Sequence, residues 1–173
     1  PDVVSLRETL GFPGMKVLQF AFENDPTNVY LPHNYDRHAV VYSATHDNQT
    51  TVGWFASRGD HEREAIQSYL GRSGADIAWD LIRLALASVA NTAIVPMQDV
   101  LRLGDEARMN VPGQPHGNWS WRMRWDHMDG GLADGLRHMT EMYGRGEAVD
   151  RQAPNPWDYT LPDTQHPATD PFA

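Results

Sequence analysis

The chain has 173 residues and a mass of 19.5 kDa, enough for one domain with a buried core but short of the roughly 250 residues of a complete (β/α)8 barrel. Its 23 acidic and 14 basic residues give a net charge of −9, so it lacks the basic surface that binds nucleic acid or anionic membranes. Because it has no cysteine, disulfides, thiolate nucleophiles and cysteine-ligated metals are excluded.

No apolar run approaches the roughly 20 residues that cross a bilayer. The first residues, Pro1-Asp-Val-Val, do not resemble a signal peptide. We therefore expect a soluble protein, and the absence of cysteine is compatible with a cytoplasmic location.

The first predicted element is a short helix. Val3, Leu6 and Leu10 recur at helical spacing, and Gly11 is a typical helix stop. Proline at position 1 suits a first helical turn, so we expect that the loop feeding this helix is missing and that the chain is cut.

Three short apolar runs rich in β-forming residues predict buried strands over residues 15–22, 39–44 and 92–96. The polar, proline-containing stretch between the first two is too short for a long helix, so we expect a loop-like crossover. Helical periodicity and glycine stops predict further helices over 60–70, 75–90 and 132–143. This order of elements favours an α/β fold with a parallel sheet, or part of a barrel.

The last segment, residues 147–173, has five prolines and no convincing periodicity. We interpret it as a proline-rich tail. Residues 1–146 would then form the folded part of the chain.

Polar clusters follow two of the predicted strands, where parallel α/β folds carry their reactive groups. Residues 45–51 contain His46, Asp47 and Asn48, and Asp99 follows the last strand. A structural alternative stays open for each: Asp47 and Asn48 are typical of capping turns, and a lone Asp99 is typical of a salt bridge or a cap.

A third cluster, residues 113–122, places Trp119 and Trp121 on either side of Ser120, with Asn118 before them and Arg122 after them. Tryptophan rings and amide groups are what a sugar site uses, since the ring stacks on the sugar and the amide binds hydroxyls. Buried packing of the tryptophans is an equally open interpretation.

Other chemistries are disfavoured. His33, His38, His46 and Asp47 match no compact metal motif such as His-Glu-x-x-His, so we expect no metal. The chain has no Gly-x-Ser-x-Gly elbow for a serine nucleophile, and its glycine-containing residues 11–14 precede a strand, the wrong order for a phosphate loop. We expect no cofactor.

Taken together, several motifs resemble the 4-α-glucanotransferases, the amylomaltase or disproportionating-enzyme family. The resemblance is collinear over residues 6–145. It is carried by Gly11-Phe-Pro-Gly-Met-Lys-Val-Leu-Gln-Phe-Ala-Phe22, Tyr30-Leu-Pro-His-Asn-Tyr35, Tyr42-Ser-Ala-Thr-His-Asp-Asn48, Ala93-Ile-Val-Pro-Met-Gln-Asp-Val-Leu101, Glu106-Ala-Arg-Met-Asn-Val-Pro-Gly113 and Gly117-Asn-Trp-Ser-Trp-Arg122.

The resemblance implies that this chain is the C-terminal portion of a TIM (β/α)8 barrel, with residues 17–22, 39–44 and 92–96 as its sixth, seventh and eighth strands. Such enzymes transfer α-1,4-glucan segments between maltooligosaccharides by a retaining double displacement. By its place in the Thr-His-Asp-Asn motif, Asp47 resembles the third carboxylate, which stabilises the transition state, and His46 would bind the same sugar ring.

By the same resemblance, the further substrate-binding candidates are Asn48, Asn118, Trp119, Phe20 and Phe22. Gln49 departs from the aspartate common at that place in the family, which could alter loop contacts. The family's nucleophile and acid/base lie on earlier strands and match no residue of this chain. We therefore expect the chain to be inactive alone, and to need the N-terminal part of the barrel as its partner. The alternative is a non-catalytic glucan-binding or structural fragment, which would aggregate, oligomerise or require a partner chain.

Overall fold

The computed structural model of the protein describes residues 2–23, 25–128 and 130–146, and has a small parallel sheet covered by helices. In chain order its elements are α1 Asp2–Thr9, β1 Gly14–Val17, β2 Ala39–Tyr42, α2 Thr51–Ala56, α3 Asp60–Leu70, α4 Ile77–Ala87, β3 Thr92–Ile94, α5 Met97–Val100 and α6 Gly130–Met142. Short 3-10 turns lie at Leu18–Phe20, Pro32–Asn34, Asp105–Ala107 and Trp125–His127. This arrangement confirms the predicted α/β class with a parallel sheet.

The three strands are neighbours in the order β1-β2-β3, the order in which they occur along the chain. Gly14 is paired with Ala39, and Val40 is paired with Thr92. Because all three strands run in parallel, the segments that follow them emerge at one edge of the sheet. The polar clusters after β2 and β3 are thereby brought together.

The two faces of the sheet differ in burial. Ala39 and Val41 are 1% and 0% exposed and join the main hydrophobic core, whose other buried members include Leu81 and Ala85 of α4. On the strands flanking β2, Met15 is 54% exposed and Ile94 is 46% exposed. Helices therefore cover one face, and apolar side chains remain exposed elsewhere on the sheet.

Helix α4 lies between two hydrophobic clusters. Leu81 and Ala85 belong to the cluster that packs on the sheet, while Ile82 packs with Leu132 and Met139 of α6. Apolar residues recur every three or four positions along this helix, and the wide apolar face that they form allows it to contact both neighbours.

The predicted helices are confirmed, with small changes at their ends. Helix α3 spans the predicted residues, and Gly71 after it has φ +63°, the left-handed conformation of a helix C-terminus. Helix α4 is shorter than predicted, and α6 begins earlier. The apolar residues of α1 do not pack inside, since Val3 is 81% exposed and Leu6 is 59% exposed.

The first predicted strand is wrong in its second half. Strand β1 ends at Val17, and Leu18–Phe20 form a 3-10 turn in which the Ala21 N–H donates to the Leu18 carbonyl. The turn buries Gln19, whose side-chain amide donates to the carbonyl of Gln49 across 3.0 Å. A contact this distant in sequence gives no local signal.

The other two strands are also shorter than predicted. Strand β3 is partly exposed rather than buried, since among the described residues it pairs with β2 alone. Helices α2 and α5 were not predicted, since four to six residues give too little periodicity. The crossover between β1 and β2 is loop-like, as predicted.

The predicted tail, residues 147–173, lies outside the residues that the structure describes. Within the described residues, no helix is long and apolar enough to cross a membrane.

Candidate active site

The loop between β2 and α2, residues 43–50, carries His46, Asp47 and Asn48 at the carboxyl edge of the sheet. Thr50 ends this loop, because its hydroxyl accepts a hydrogen bond from the Gly53 N–H and so caps α2. The site residues therefore sit on a short loop held between a strand and a helix.

Asp47 is half exposed and is held by the segment that follows β3. The side-chain amide of Asn110 donates to Oδ1 of Asp47 across 2.6 Å, and the guanidinium of Arg108 donates to the Asp47 carbonyl across 2.7 Å. His46 Nε2 lies 3.4 Å from the same Oδ1. Both the main chain and the carboxylate of Asp47 are thereby fixed.

His46 pairs with Trp119, one of the predicted sugar-stacking residues. Their ring centroids are 5.2 Å apart, and both side chains are about half exposed. Trp119 has φ +60°, and its N–H donates to the Met109 carbonyl across 2.8 Å. A left-handed conformation is uncommon at a non-glycine residue, and strained conformations cluster at functional sites; Arg102, which pairs with Asp76, also has φ +59°.

The two predicted amide ligands make hydrogen bonds within their own loops. Asn48 Oδ1 accepts from the N–H and the hydroxyl of Thr45, which is the turn-forming interpretation left open above. Asn118 Oδ1 accepts from the Val111 N–H, and its amide donates to the Gln114 carbonyl. Both side chains therefore shape the loops that carry their neighbours.

Two adjoining cavities open at this edge. The larger, of about 400 Å³, is lined by Met15, Tyr42 and Ile94 of the strands and by loop residues that include His46, Asn48, Arg108 and Trp121. The smaller, of about 280 Å³, is lined by Asp47, Asn48, Phe20 and Tyr30 among others. Phe20 is 43% exposed, and its ring meets that of Tyr30 edge to face. The site thus combines one carboxylate with exposed aromatic surface.

Phe22 is a predicted site residue that the structure places away from Asp47. It packs against Trp54 and Tyr69 at 5.9 and 5.7 Å between ring centroids. It lines a separate apolar cavity with His33. The resemblance placed Phe22 at the end of a barrel strand, but β1 ends at Val17, and Phe22 follows the 3-10 turn Leu18–Phe20.

Asp99 is a buried structural carboxylate, in agreement with the capping alternative left open for it. It is 0% exposed, and it accepts hydrogen bonds from Ser43 and Thr51 at the two ends of the loop. Burial raises the pKa of Asp99, while the hydrogen bonds from Ser43 and Thr51 act in the opposite direction.

Sequence reasoning missed Asn110, Arg108 and Asp105 as parts of the site. Asp105 accepts from the Gln49 side chain across 2.7 Å and from the Thr50 N–H across 3.2 Å. All three belong to the segment around Glu106-Ala-Arg-Met-Asn, whose motif was recognised without a role for its residues. Their position after β3, at the edge where β2 also ends, is the signal that could have found them.

The histidines do not gather. His33 contacts Tyr69 and the Pro26 carbonyl, and His38 contacts the Gly11 carbonyl, so neither shares a partner with His46. In the part of the chain that the structure describes, no group of three metal-ligating side chains is found.

A family model described as 4-alpha-glucanotransferase, glycoside hydrolase family 77, matches residues 1–128. The chain belongs to this family. The resemblance stated from the sequence motifs is thereby confirmed. A 4-alpha-glucanotransferase of Synechocystis sp. is 50% identical over 147 residues, which are 84% of this chain and 29% of that relative. One of Thermus thermophilus is 50% identical over 131 residues, which are 71% of this chain and 26% of that relative.

Among solved structures, an amylomaltase from Streptococcus agalactiae in complex with acarbose is similar, with a TM-score of 0.80 and 34% identity. The similarity covers 84% of this chain and 30% of the amylomaltase chain. The chain thus spans less than a third of the length of the 4-alpha-glucanotransferases that it matches.

Proposed function

We propose that this chain supplies the C-terminal part of a 4-α-glucanotransferase active site, in which Asp47 is the carboxylate that stabilises the transition state. The observation that carries the proposal is the position and exposure of the Asp47 carboxylate. It lies half exposed on a cavity at the carboxyl edge of a parallel sheet, with Asn110 fixing one carboxylate oxygen. His46 lies beside Asp47, and the His46 ring pairs with that of Trp119.

The chemistry gives Asp47 a definite task. In a retaining transfer, a nucleophilic carboxylate attacks the anomeric carbon while an acid protonates the departing glycosidic oxygen. Positive charge develops on the ring as that bond breaks, and a fixed carboxylate that binds ring hydroxyls favours the distorted, oxocarbenium-like geometry. Asn110 donates to Oδ1, so Oδ2 of Asp47 is the oxygen that we assign to the sugar.

The neighbouring side chains suit a glucose unit. The half-exposed rings of Trp119 and Phe20 offer apolar surface for stacking, and His46 offers a ring nitrogen for a hydroxyl. Asn48 and Asn118 use their carbonyl oxygens within their loops, so we assign them a supporting role. Phe22 packs away from the site and is not part of this assignment.

We further propose that β1, β2 and β3 are the sixth, seventh and eighth strands of a (β/α)8 barrel, and that earlier strands supply the nucleophile and the acid/base. The sequential parallel order of the strands and the exposed Met15 and Ile94 support this placement. In such a barrel those side chains would be covered by the strands that close it.

The test is a hybrid enzyme in which this chain replaces the matched region of the Synechocystis relative. Incubated with maltotriose, the hybrid should release glucose and form maltopentaose and longer chains, because transfer conserves the number of glycosidic bonds. The 173-residue chain alone should release none. A folded hybrid without transfer activity, or turnover by the chain alone, contradicts the proposal.

The second candidate is a non-catalytic fragment that binds glucan or completes another chain. The exposed Met15 and Ile94 favour it, and so do the outer edges of β1 and β3, which pair with no other strand in the part of the chain that the structure describes, since such surfaces promote association. Sedimentation of the chain alone should then give oligomers, or a complex with a partner. A monomer that melts cooperatively counts against this candidate.

A further inference from the structure

The loop that carries Asp47 is fastened at both ends by one buried side chain. Ser43, four residues before Asp47, donates its hydroxyl to Oδ2 of Asp99 across 2.6 Å. Thr51, four residues after Asp47, donates its hydroxyl to the same oxygen across 2.8 Å and its N–H to Oδ1 across 2.9 Å. The loop is therefore closed on a single carboxylate.

This carboxylate is well placed to act as a fixed point. Asp99 and Thr51 are 0% exposed, and so is Ser43, which means that water does not compete for these hydrogen bonds. Asp99 lies in α5, where its own N–H donates to the Pro96 carbonyl. Charge-assisted hydrogen bonds in such surroundings are among the strongest in proteins.

The same segment also holds the middle of the loop. Eleven residues after Asp99, Asn110 donates its side-chain amide to Asp47 and its main-chain N–H to the His46 carbonyl. Residues 99–110 thus fix both the two ends and the middle of the loop. A shift at either end would therefore change the distance between Asp47 and Asn110.

We propose that Asp99 is a positioning residue for the transfer reaction, acting through Asp47 by fixing Ser43, which begins the 43–50 loop, and Thr51, which follows it. This inference rests on the proposed function, in which Asp47 acts on the sugar. Asp99 adjoins the larger cavity but is 0% exposed, so we assign it no contact with the substrate. A group displaced by about 1 Å from its productive geometry can lose about a hundredfold in rate.

The first test needs no activity. Amide hydrogen exchange is measured on the full 173-residue chain for wild type and Asp99→Ala, at Asn48 and Asn110, whose N–H groups donate to Thr45 and His46. Their exchange should rise about tenfold in Asp99→Ala, with α4 unchanged. The matched control is Asp80→Ala. It removes another buried carboxylate, which lies on α4 and pairs with Arg72. Unchanged exchange in the loop, or an equal rise along the whole chain, overturns the proposal.

If Asp99→Ala does not fold, Ser43→Ala provides the same test by releasing only one end of the loop. Its control is Ser88→Ala, which removes a hydroxyl that donates to the Ala85 carbonyl, outside the loop and its partners. Faster exchange at Asn48 in Ser43→Ala alone supports the proposal. Equal behaviour of the two variants contradicts it.

The second test uses the hybrid enzyme and separates positioning from stability. Asp99→Ala should lower kcat about tenfold or more, with KM within about twofold of wild type. Asp99→Asn keeps the shape of the side chain and most of its hydrogen bonds, so it should recover most of the lost kcat. In an Asp47→Asn background the further effect of Asp99→Ala should fall below about twofold. Equal losses in both backgrounds overturn the proposal.

A folded but inactive wild-type hybrid rejects the proposed function. The hydrogen-exchange experiment still decides whether Asp99 orders the loop.

Discussion

Asn110 donates its side-chain amide to Oδ1 of Asp47 across 2.6 Å, linking the segment after β3 to the loop after β2. The two residues are 63 positions apart in sequence. Their contact makes the orientation of the Asp47 carboxylate depend on a loop from the neighbouring strand.

Replacing Asn110 with alanine should lower kcat of the hybrid enzyme about tenfold, with a small change in KM. The alanine leaves Oδ1 of Asp47 without its amide donor, so the carboxylate loses its fixed orientation. Steady-state kinetics on maltotriose measure the effect. Asn91→Ala, at an exposed position that follows α4, is the control and should be silent. A silent Asn110→Ala would refute the assignment.

The Gln49→Glu substitution should loosen the same loop. The Gln49 amide donates to Asp105 across 2.7 Å, and a glutamate there would place a second carboxylate against Asp105. We expect a lower melting temperature for the hybrid at pH 7. Adding Asp105→Asn should restore most of the lost melting temperature, because the asparagine amide can then donate to the new carboxylate. No rescue by the second substitution would contradict the pairing.

Part of this site could be predicted from the sequence because its signals are local. The acidic first turn and Gly71 defined α3, and a polar cluster after a predicted strand located His46 and Asp47. The turn formed by Asn48 and Thr45 also follows from residue type alone.

The rest depends on contacts that are distant in sequence. The end of β1 is set by a 3-10 turn whose buried Gln19 binds Gln49, so Phe22 does not lie at the end of a strand as the resemblance implied. The roles of Asp99 and Asn110 appear only when β2 and β3 lie side by side. Motif order predicted which loops meet, but not which atoms do.

Gly53→Ala should destabilise the protein although alanine is normally the better helix residue. A Cβ at Gly53 would fall well inside van der Waals contact with the Asp105 carboxylate, which would have to give up Gln49 and Thr50. The loss of such hydrogen bonds costs about 1–3 kcal/mol. Gly130→Ala, with nothing within 4 Å of its Cβ, should be neutral or slightly stabilising. Thermal unfolding of the two variants decides, and equal melting temperatures would contradict the prediction.

The stability of the protein should depend on pH through Asp99. Its pKa is raised above the ordinary 3.8, mainly by burial, so the folded state binds more protons than the unfolded state just above that pH. The free energy of unfolding of wild type should therefore fall, relative to Asp99→Asn, as the pH rises from about 3.8 to the raised pKa. Below that window the difference should be constant. A free energy of unfolding of wild type that rises with pH in this window, relative to Asp99→Asn, would contradict the direction of the Asp99 pKa shift.

The most direct measurement of the central claim is the transfer rate of the Asp47→Asn hybrid enzyme on maltotriose. Asparagine keeps the size of the side chain and removes the charge to which we assign stabilisation of the transition state, so kcat should fall at least about a hundredfold with the melting temperature unchanged. The matched control is Asp76→Asn, which alters a similarly exposed carboxylate bound to Arg102 and should keep full activity. A near-wild-type rate for Asp47→Asn would remove Asp47 from the reaction.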